Sequence, residues 1–226
     1  MALKAFSEIR ERAEARKGKA AIEERLKNYM GRFGGDTGGD DRLLSEMAKY
    51  IFSSGISWKV VESKWPGIED AFLGFDPNLL NIQPDDFWHD LLGDKRIIRH
   101  GAKVQAIRRN AAFVSDLARE HGSATRFLLD WPANDLVGLF EFLKKRGDRL
   151  GGHTGPYVMR AIGKQNFVLS RDVVACLKDA GVPITGDGSG KSEGKAIQAA
   201  FNQWAEETGL PMSHLSVIAA QSIDAG

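Results

Sequence analysis

Residues 147–155, GDRLGGHTG, form a glycine-rich segment with flanking cations. The types and the spacing of these residues suit the binding of an anion. Closely spaced glycines let consecutive backbone N–H groups approach an anion, because no side chain holds the anion away. Helices ending near Arg146 and beginning near Pro156 would make the segment a hairpin, with a positive helix end favouring phosphate. The candidate phosphate-binding residues are Arg149, Gly151, Gly152, His153, Thr154 and Gly155. An ordinary helix–helix turn with a solvated basic end is the alternative that these residues leave open.

Asp172 is the candidate catalytic carboxylate, 18 positions after Thr154 and at the end of the apolar run FVLSRD. A carboxylate held in a fixed position stabilises positive charge that develops in a transition state, and it can orient or deprotonate an attacking water. Aspartate is also a favoured helix N-cap, so a structural role before VVACL is the alternative.

The elements that must position these residues are predicted to be helices. No stretch keeps the apolar alternation of a strand. Apolar residues recur instead at helical spacing over four stretches, residues 6–30, 43–52, 101–120 and 135–146. Three prolines stand where a proline can open a helix: Pro66, Pro77 and Pro84. The glycine- and aspartate-rich stretch 31–41 predicts a linker, so we expect an all-α fold with an N-terminal extension in 1–36 and a main domain in 37–226.

Composition excludes several classes of protein. The 226 residues suffice for one sizeable domain or a two-lobed one, and the net charge of +1 indicates no partner by itself. The count of one cysteine excludes a disulfide framework and an iron–sulfur cluster held by four thiolates. Because no apolar run has the length of a membrane span or of a signal peptide, we expect a cytoplasmic protein without membrane contact. We also expect no cofactor.

The segment GDGSGKS at residues 186–192 resembles a nucleotide-binding phosphate loop without matching its spacing. The motif needs four residues between its glycines, and the position that this spacing requires before Gly190 holds Thr185. The preceding residues DVVACLKDAGV predict a helix, whereas the motif follows a strand. We therefore expect no nucleotide site in this segment.

The hairpin and the aspartate together resemble the helix-hairpin-helix DNA glycosylases, whose hairpin glycines and threonine precede a catalytic aspartate by nearly twenty residues. Residues 38–180 resemble one branch, the 3-methyladenine DNA glycosylase I family, most specifically in GISW at 55–58 and IIRH at 97–100. The resemblance implies a two-lobed helix-hairpin-helix fold with its hairpin at 146–156. It also implies base excision repair, in which damaged double-stranded DNA is bound and an alkylated purine is flipped out and excised.

The resemblance further implies a base pocket. Trp58 matches the tryptophan that lines this pocket, Tyr157 matches a pocket tyrosine of the superfamily, and Tyr50 replaces the glutamate that recognises the base. Electron-rich rings stack well on a cationic base, although aromatic residues at helical spacing are commonly core residues. His153 stands where bifunctional relatives carry a lysine nucleophile, so a monofunctional glycosylase is expected.

A second basic cluster contains Arg96, Arg99, His100, Lys103, Arg108 and Arg109. Such residues either extend a DNA-binding rim or form the solvated face of an amphipathic helix. The resemblance favours Lys103 as the member of the cluster that contacts DNA.

Two other functions are compatible with the sequence. A helix-hairpin-helix module that binds DNA without catalysis would fit the altered pocket at Tyr50. An interaction protein would use the helix predicted at 6–30 to pair with a partner or with a second copy.

The type I members of this family bind a structural zinc through two cysteines and two histidines, and this sequence departs from them. Only Cys176 stands at a matching position, and Asp172 replaces one of the histidines. One thiolate without a nearby histidine does not complete a site of four ligands.

We therefore predict that the purified protein contains no stoichiometric zinc and that chelators leave its thermal unfolding unchanged. Elemental analysis of the protein, before and after dialysis against a chelator, measures this directly. One zinc per chain would contradict the prediction.

Overall fold

The computed structural model describes residues 3–33 and 38–225, and every regular element within these ranges is a helix. The α-helices are, in chain order, α1 (Phe6–Lys17), α2 (Lys19–Phe33), α3 (Asp40–Ser53), α4 (Trp58–Ala71), α5 (Pro77–Asn81), α6 (Asp85–Asp90), α7 (Gly101–His121), α8 (Ala124–Leu129), α9 (Leu136–Arg146), α10 (Thr154–Ala161), α11 (Arg171–Asp179), α12 (Lys191–Thr208) and α13 (Met212–Ser222). Two short 3-10 turns lie at Leu73–Phe75 and Ala133–Asp135. The predicted all-α class is confirmed. No helix of the described ranges is long and apolar enough to cross a membrane.

Several predicted helix boundaries need correction. The helix expected over 6–30 is two helices, because Gly18 separates them with a φ of 83° that glycine adopts without steric cost. Pro66 lies inside α4 rather than at a helix start. Buried apolar residues before and after it, Val61 and Ile68, keep the helix packed despite the lost N–H. The prediction for the other two prolines is confirmed, since Pro77 and Pro84 stand at the starts of α5 and α6.

Contacts divide the chain into two compact units. The terminal unit combines Met1–Gly35, Trp131–Leu139 and Gly163–Gly226, and the central unit combines Asp36–Asp130 and Phe140–Ile162. The predicted linker lies partly outside the described residues, and α3 begins at Asp40. The N-terminal helices therefore belong to the same compact unit as the C-terminal helices.

Helix α1 is packed within the core of the terminal unit. Its apolar residues Phe6, Ile9 and Ala13 are at most 1% exposed, and α1 lies against α13. The Phe6 ring lies 5.5 Å from the Trp204 ring, and the Phe6 N–H donates to the Glu207 carboxylate at 2.9 Å. Because this apolar face is already buried, it is not open to a partner protein.

Helix α7 is the central element of the central unit. It packs against α3, α5 and α8, and its predicted apolar stripe is fully buried at Val104, Ile107, Ala111, Val114 and Leu117. Burial of an apolar side chain stabilises the fold by about 1.5–3 kcal/mol, so this stripe fixes the helix firmly. The prediction of a strong helix here is confirmed.

The carboxylate of Glu193 organises the GDGSGKS segment by accepting hydrogen bonds from this segment and from the residue before it. Glu193 accepts hydrogen bonds from Thr185 N (2.7 Å), Thr185 Oγ1 (2.8 Å), Gly186 N (3.1 Å) and Gly190 N (3.4 Å). These donors are therefore occupied by a glutamate and are not free to bind a phosphate. The preceding element is helix α11, as predicted, and not a strand.

We predict that Glu193 makes the stability of the protein depend on acidic pH. The hydrogen bonds from Gly186 and Thr185 lower the pKa of Glu193 from 4.5 to about 2. A depressed pKa in the folded state stabilises the fold above the unfolded value, and this contribution is lost as pH falls towards 2. Urea unfolding should therefore show Glu193→Gln to be less stable than wild type at pH 7, with a difference that shrinks below pH about 4.5.

Glu206→Gln is the matched control, because Glu206 is an exposed glutamate on the same helix. Its unfolding should follow wild type at every pH. A constant difference between wild type and Glu193→Gln from neutral to acidic pH would contradict the prediction.

Candidate functional site

A glycine hairpin joins α9 to α10. Helix α9 ends at Arg146, and α10 begins at Thr154, two residues before the predicted proline. The Gly155 N–H donates to the Leu150 carbonyl at 3.1 Å. A Cβ at Gly155 would lie 2.5 Å from that carbonyl oxygen, so only glycine fits this position. The predicted hairpin is confirmed as a structural element.

Three successive hairpin residues leave their backbone donors free. The N–H groups of Gly151, Gly152 and His153 donate to no acceptor in residues 3–33 and 38–225. Gly152 and His153 are exposed, and Gly152 has a φ of 59°. Consecutive free N–H groups before a helix N-terminus form a favourable place for an anion, which agrees with the predicted phosphate contact.

Two exposed cations next to the hairpin remain available for an anion. Lys145 and Arg149 are exposed and form no ion pair within the described part of the chain. Their neighbours are partly neutralised, since Lys144 lies 3.5 Å from a Glu141 oxygen and Arg146 lies 4.0 Å from a Glu120 oxygen. Arg149 also has a φ of 60°, an unusual value for a residue with a side chain.

Asn110 fixes the start of the hairpin, a role that was not predicted from the sequence. Its side chain is fully buried, and its Nδ2 donates to the Asp148 carbonyl at 2.9 Å. In return the Asp148 N–H donates to Asn110 Oδ1 at 2.8 Å. The signal in the sequence was a polar residue on the apolar stripe of α7, three positions after Ile107.

The three predicted pocket aromatics come together in the central unit. The Tyr50 ring lies 5.3 Å from the Trp58 ring, and it stacks on the Tyr157 ring at 5.9 Å with an interplanar angle of 8°. These residues come from α3, α4 and α10, so tertiary packing assembles what we call the aromatic cluster. His153 of the hairpin lies 6.5 Å, ring to ring, from Tyr157, which places the cluster next to the hairpin.

Charged groups of both signs border the aromatic cluster. The Lys49 ammonium lies 5.5 Å from the centre of the Trp58 ring and 5.4 Å from the centre of the Trp65 ring. The Trp58 Nε1 donates to the Glu62 carboxylate at 2.6 Å. Neither Lys49 nor Glu62 was among the site residues predicted from the sequence. Lys49 therefore places a positive charge over the face of the Trp58 ring, and Glu62 places a negative charge at the edge of that ring.

A turn with left-handed backbone conformation, Leu73–Phe75, supports Trp65, the second tryptophan that Lys49 contacts. Leu73, Gly74 and Phe75 have φ values of 54°, 67° and 61°, and a residue with a side chain adopts such values at a cost of about 1–2 kcal/mol. The turn sets the buried Phe75 ring against Trp65, with ring centres 5.6 Å apart. Arg42 stabilises it by donating to the Gly74 carbonyl at 2.7 Å.

Lys103 is placed differently from the DNA contact predicted for it. It is 4% exposed, and its ammonium donates to the carbonyls of Phe52 at 2.9 Å and Ser54 at 2.6 Å. Burial, together with the charge of Arg149, lowers the pKa of Lys103. The prediction treated Lys103 as a surface cation, whereas the structure uses it to hold the turn between α3 and α4.

The rest of the second basic cluster is largely neutralised. Three of its arginines form ion pairs: Arg96 with Asp94 and Asp70, Arg108 with Asp85, and Arg109 with Asp148. Arg99 and His100 are exposed and form no ion pair within the described residues. This arrangement favours the interpretation of a solvated helix face over that of a continuous DNA-binding rim.

Asp172 lies in the first turn of α11, in the terminal unit. The N-cap of this helix is Ser170, whose Oγ accepts a hydrogen bond from the Val173 N–H at 3.3 Å. The alternative role of Asp172 as the N-cap is therefore wrong. Its half-exposed carboxylate instead accepts a hydrogen bond from the Ala225 N–H on Oδ1 at 3.0 Å.

The residues around Cys176 do not fit a structural zinc. The Cys176 sulfur lies 3.3 Å from Ser222 Oγ and 3.7 Å from the Arg12 guanidinium. Burial raises the pKa of the Cys176 thiol, which disfavours the thiolate that zinc requires. Among the described residues, no three His, Cys, Asp or Glu side chains gather as a metal ion would need.

Comparison with known proteins gives the same fold and a family. A family model for methyladenine glycosylase matches residues 22–140, which include Tyr50 and Trp58 and end before the hairpin. The chain is 21% identical to the Staphylococcus aureus 3-methyladenine DNA glycosylase I, with a TM-score of 0.51 over 61% of this chain and 84% of that chain. A variant of the Staphylococcus aureus enzyme gives 22% identity and a TM-score of 0.51, over 60% of this chain and 84% of that chain. Another 3-methyladenine DNA glycosylase I is 26% identical with a TM-score of 0.46, over 55% of this chain and 79% of that chain.

The hairpin leads to a prediction about DNA affinity. Gly151→Asp should weaken binding to duplex DNA by about tenfold or more, because the added carboxylate repels and blocks a phosphate at the free N–H groups. The fold should tolerate the change, since a Cβ at Gly151 would meet only the flexible Lys144 side chain, at 3.2 Å. Fluorescence anisotropy with labelled duplex at one stated salt concentration measures the effect.

Gly93→Asp is the control, because it adds the same charge at an exposed glycine elsewhere in the central unit. Its affinity should stay close to that of wild type. Unchanged affinity in Gly151→Asp, with a normal circular dichroism spectrum, would remove the hairpin from DNA binding.

Proposed function

The chain belongs to the methyladenine glycosylase family, and we propose that it is a monofunctional DNA glycosylase that excises alkylated purines of the 3-methyladenine type. The observation that carries the proposal is the aromatic cluster next to a hairpin with three free N–H groups. An enzyme that acts on a base must extrude it from the duplex and hold it in a pocket. The hairpin would bind the DNA backbone while the cluster receives the base.

The aromatic cluster supports recognition of an electron-poor base by stacking. Tyr50 and Tyr157 already stack on each other at 5.9 Å, so a base would lie against an outer ring face and not between them. Tyr157 is 37% exposed and offers such a face. An alkylated purine carries a positive charge, which attracts it to electron-rich rings. In this proposal stacking replaces the hydrogen bond that a glutamate would provide at position 50.

Asp172 is the residue to which we assign the chemistry. Cleavage of the bond between base and deoxyribose develops positive charge on the sugar, as in glycoside hydrolysis. A carboxylate stabilises this charge and orients an attacking water. The Asp172 Oδ2 accepts no hydrogen bond within the described residues, so this oxygen is available for such a role. A cationic base leaves easily and needs little acid assistance, so one carboxylate is sufficient.

The sequence position of His153 supports a monofunctional reaction. An amine nucleophile is needed to attack the sugar and cut the strand, and the hairpin offers an imidazole in place of a lysine. The expected product is therefore an abasic site in an uncut strand.

A DNA-binding module without catalysis is the second candidate, because Tyr50 stands where a glutamate is expected. One measurement separates the two functions. Wild-type protein incubated with methylated duplex DNA should release free methylated base, whereas a binding module would retain the DNA without releasing any.

The catalytic assignment predicts a large kinetic effect at Asp172. Asp172→Asn keeps the shape of the side chain and removes its charge, so single-turnover base release should slow about 10²–10³-fold. Affinity for duplex DNA should persist, because the hairpin is unchanged. Glu206→Gln, which removes a charge elsewhere in the terminal unit, should match wild type in both measurements.

The two possible failures differ in what they contradict. Absence of base release from wild type would overturn the proposed activity. Equal rates for wild type and Asp172→Asn would leave a glycosylase but assign its chemistry to other residues.

A further inference from the structure

One face of α11 is fastened to both ends of the chain. Asp172, Cys176 and Asp179 are spaced at i, i+4 and i+7, so they lie on the same side of the helix. Each of them contacts α1, the end of α13 or the residues that follow α13. These contacts lie within the terminal unit.

Arg12 of α1 is the centre of this attachment, and it bridges two helices. Its guanidinium pairs with Asp179 of α11 at 2.5 Å and donates to Ser222 Oγ, at the end of α13, at 3.2 Å. The same guanidinium lies 3.7 Å from the Cys176 sulfur. Lys4 reinforces the attachment by pairing with Asp179 at 3.1 Å.

The residues after α13 run back along α11 towards Asp172. Ser222 is 1% exposed and contacts Cys176, which lies one helical turn after Asp172. Asp224 lies 3.6 Å from Arg16 of α1, and the next residue, Ala225, donates its N–H to Asp172 Oδ1. The segment 223–225, which we call the C-terminal strap, therefore ends on the carboxylate to which the chemistry is assigned.

We infer that Arg12 and the C-terminal strap are positioning groups for Asp172, an inference that rests on the function proposed above. An aspartate carboxylate rotates easily about its terminal torsion. A single N–H on Oδ1 restricts this rotation and leaves Oδ2 free, and small displacements of a reacting group cost large factors in rate. Arg12 holds the helix that carries Asp172 through its ion pair with Asp179.

The first test removes one hydrogen-bond donor. Ala225→Pro eliminates the N–H that meets Asp172 and changes no charge. Single-turnover base release at saturating DNA should slow by about tenfold, while the dissociation constant for DNA should stay unchanged. Ala225→Gly keeps the N–H and should restore the rate to that of wild type.

The second test loosens the attachment of α11. Arg12→Met should slow base release without weakening DNA binding, and Arg12→Lys should restore only part of the rate, since lysine lacks the planar fork that spans several acceptors. Arg10→Met is the matched control on the same helix, because within the described part of the chain Arg10 pairs only with Glu14 of α1, at 2.9 Å. All rates are measured well below the melting temperature of every variant.

The outcomes separate positioning from simple stabilisation. Slower release with unchanged affinity in Ala225→Pro and Arg12→Met supports the inference. Wild-type rates in both variants, even with a lower melting temperature in Arg12→Met, would overturn it. Absence of base release from wild type itself would overturn the proposed function, and the inference with it.

Discussion

Burial of two polar side chains on one face of α7 is the constraint on which the candidate site depends. Lys103 and Asn110 are seven residues apart, or about two helical turns, and both are at most 4% exposed. A buried polar group without a partner costs about 1–3 kcal/mol. The turn between α3 and α4 must therefore present its carbonyls to Lys103, and the hairpin must present Asp148 to Asn110. One helix thus sets the position of both the aromatic cluster and the hairpin.

The distribution of charge follows from the same packing. Lys103 is buried, and Arg109 forms an ion pair with Asp148 at the start of the hairpin. Arg149 and Lys145 remain exposed without an ion pair among the described residues. Two cations beside the free N–H groups therefore remain available to an anion. A net charge of +1 for the whole chain conceals this local arrangement.

In the terminal unit a guanidinium joins helix α1 to two other helices. Arg12 satisfies a carboxylate, a hydroxyl and a sulfur from two helices, and the arginine fork presents several donors in fixed directions. Such an attachment needs no thiolate, which agrees with the raised pKa of the Cys176 thiol. It also gives α1 a function inside its own unit, where its apolar face is buried.

The sequence by itself determined most of the helices and the hairpin, whereas the three aromatic residues were named through the resemblance to the family. Periodicity in α7, the glycine spacing at 151–155 and the prolines at the starts of α5 and α6 are local signals, and local signals fix backbone conformation. Two departures from these local signals are explained only by the tertiary structure. Pro66 is tolerated within α4 because residues on both sides are buried, and Asp172 is displaced from the N-cap by Ser170.

Only the tertiary structure decided which polar residues face solvent and which hold the site together. Lys103 meets carbonyls 49 and 51 positions away, and Asn110 meets a residue 38 positions away. The amphipathic pattern of α7 assigned Lys103 to a surface and gave Asn110 no role. A side chain's burial is set by the segments that pack over it, and a pattern within one helix carries no information about those segments.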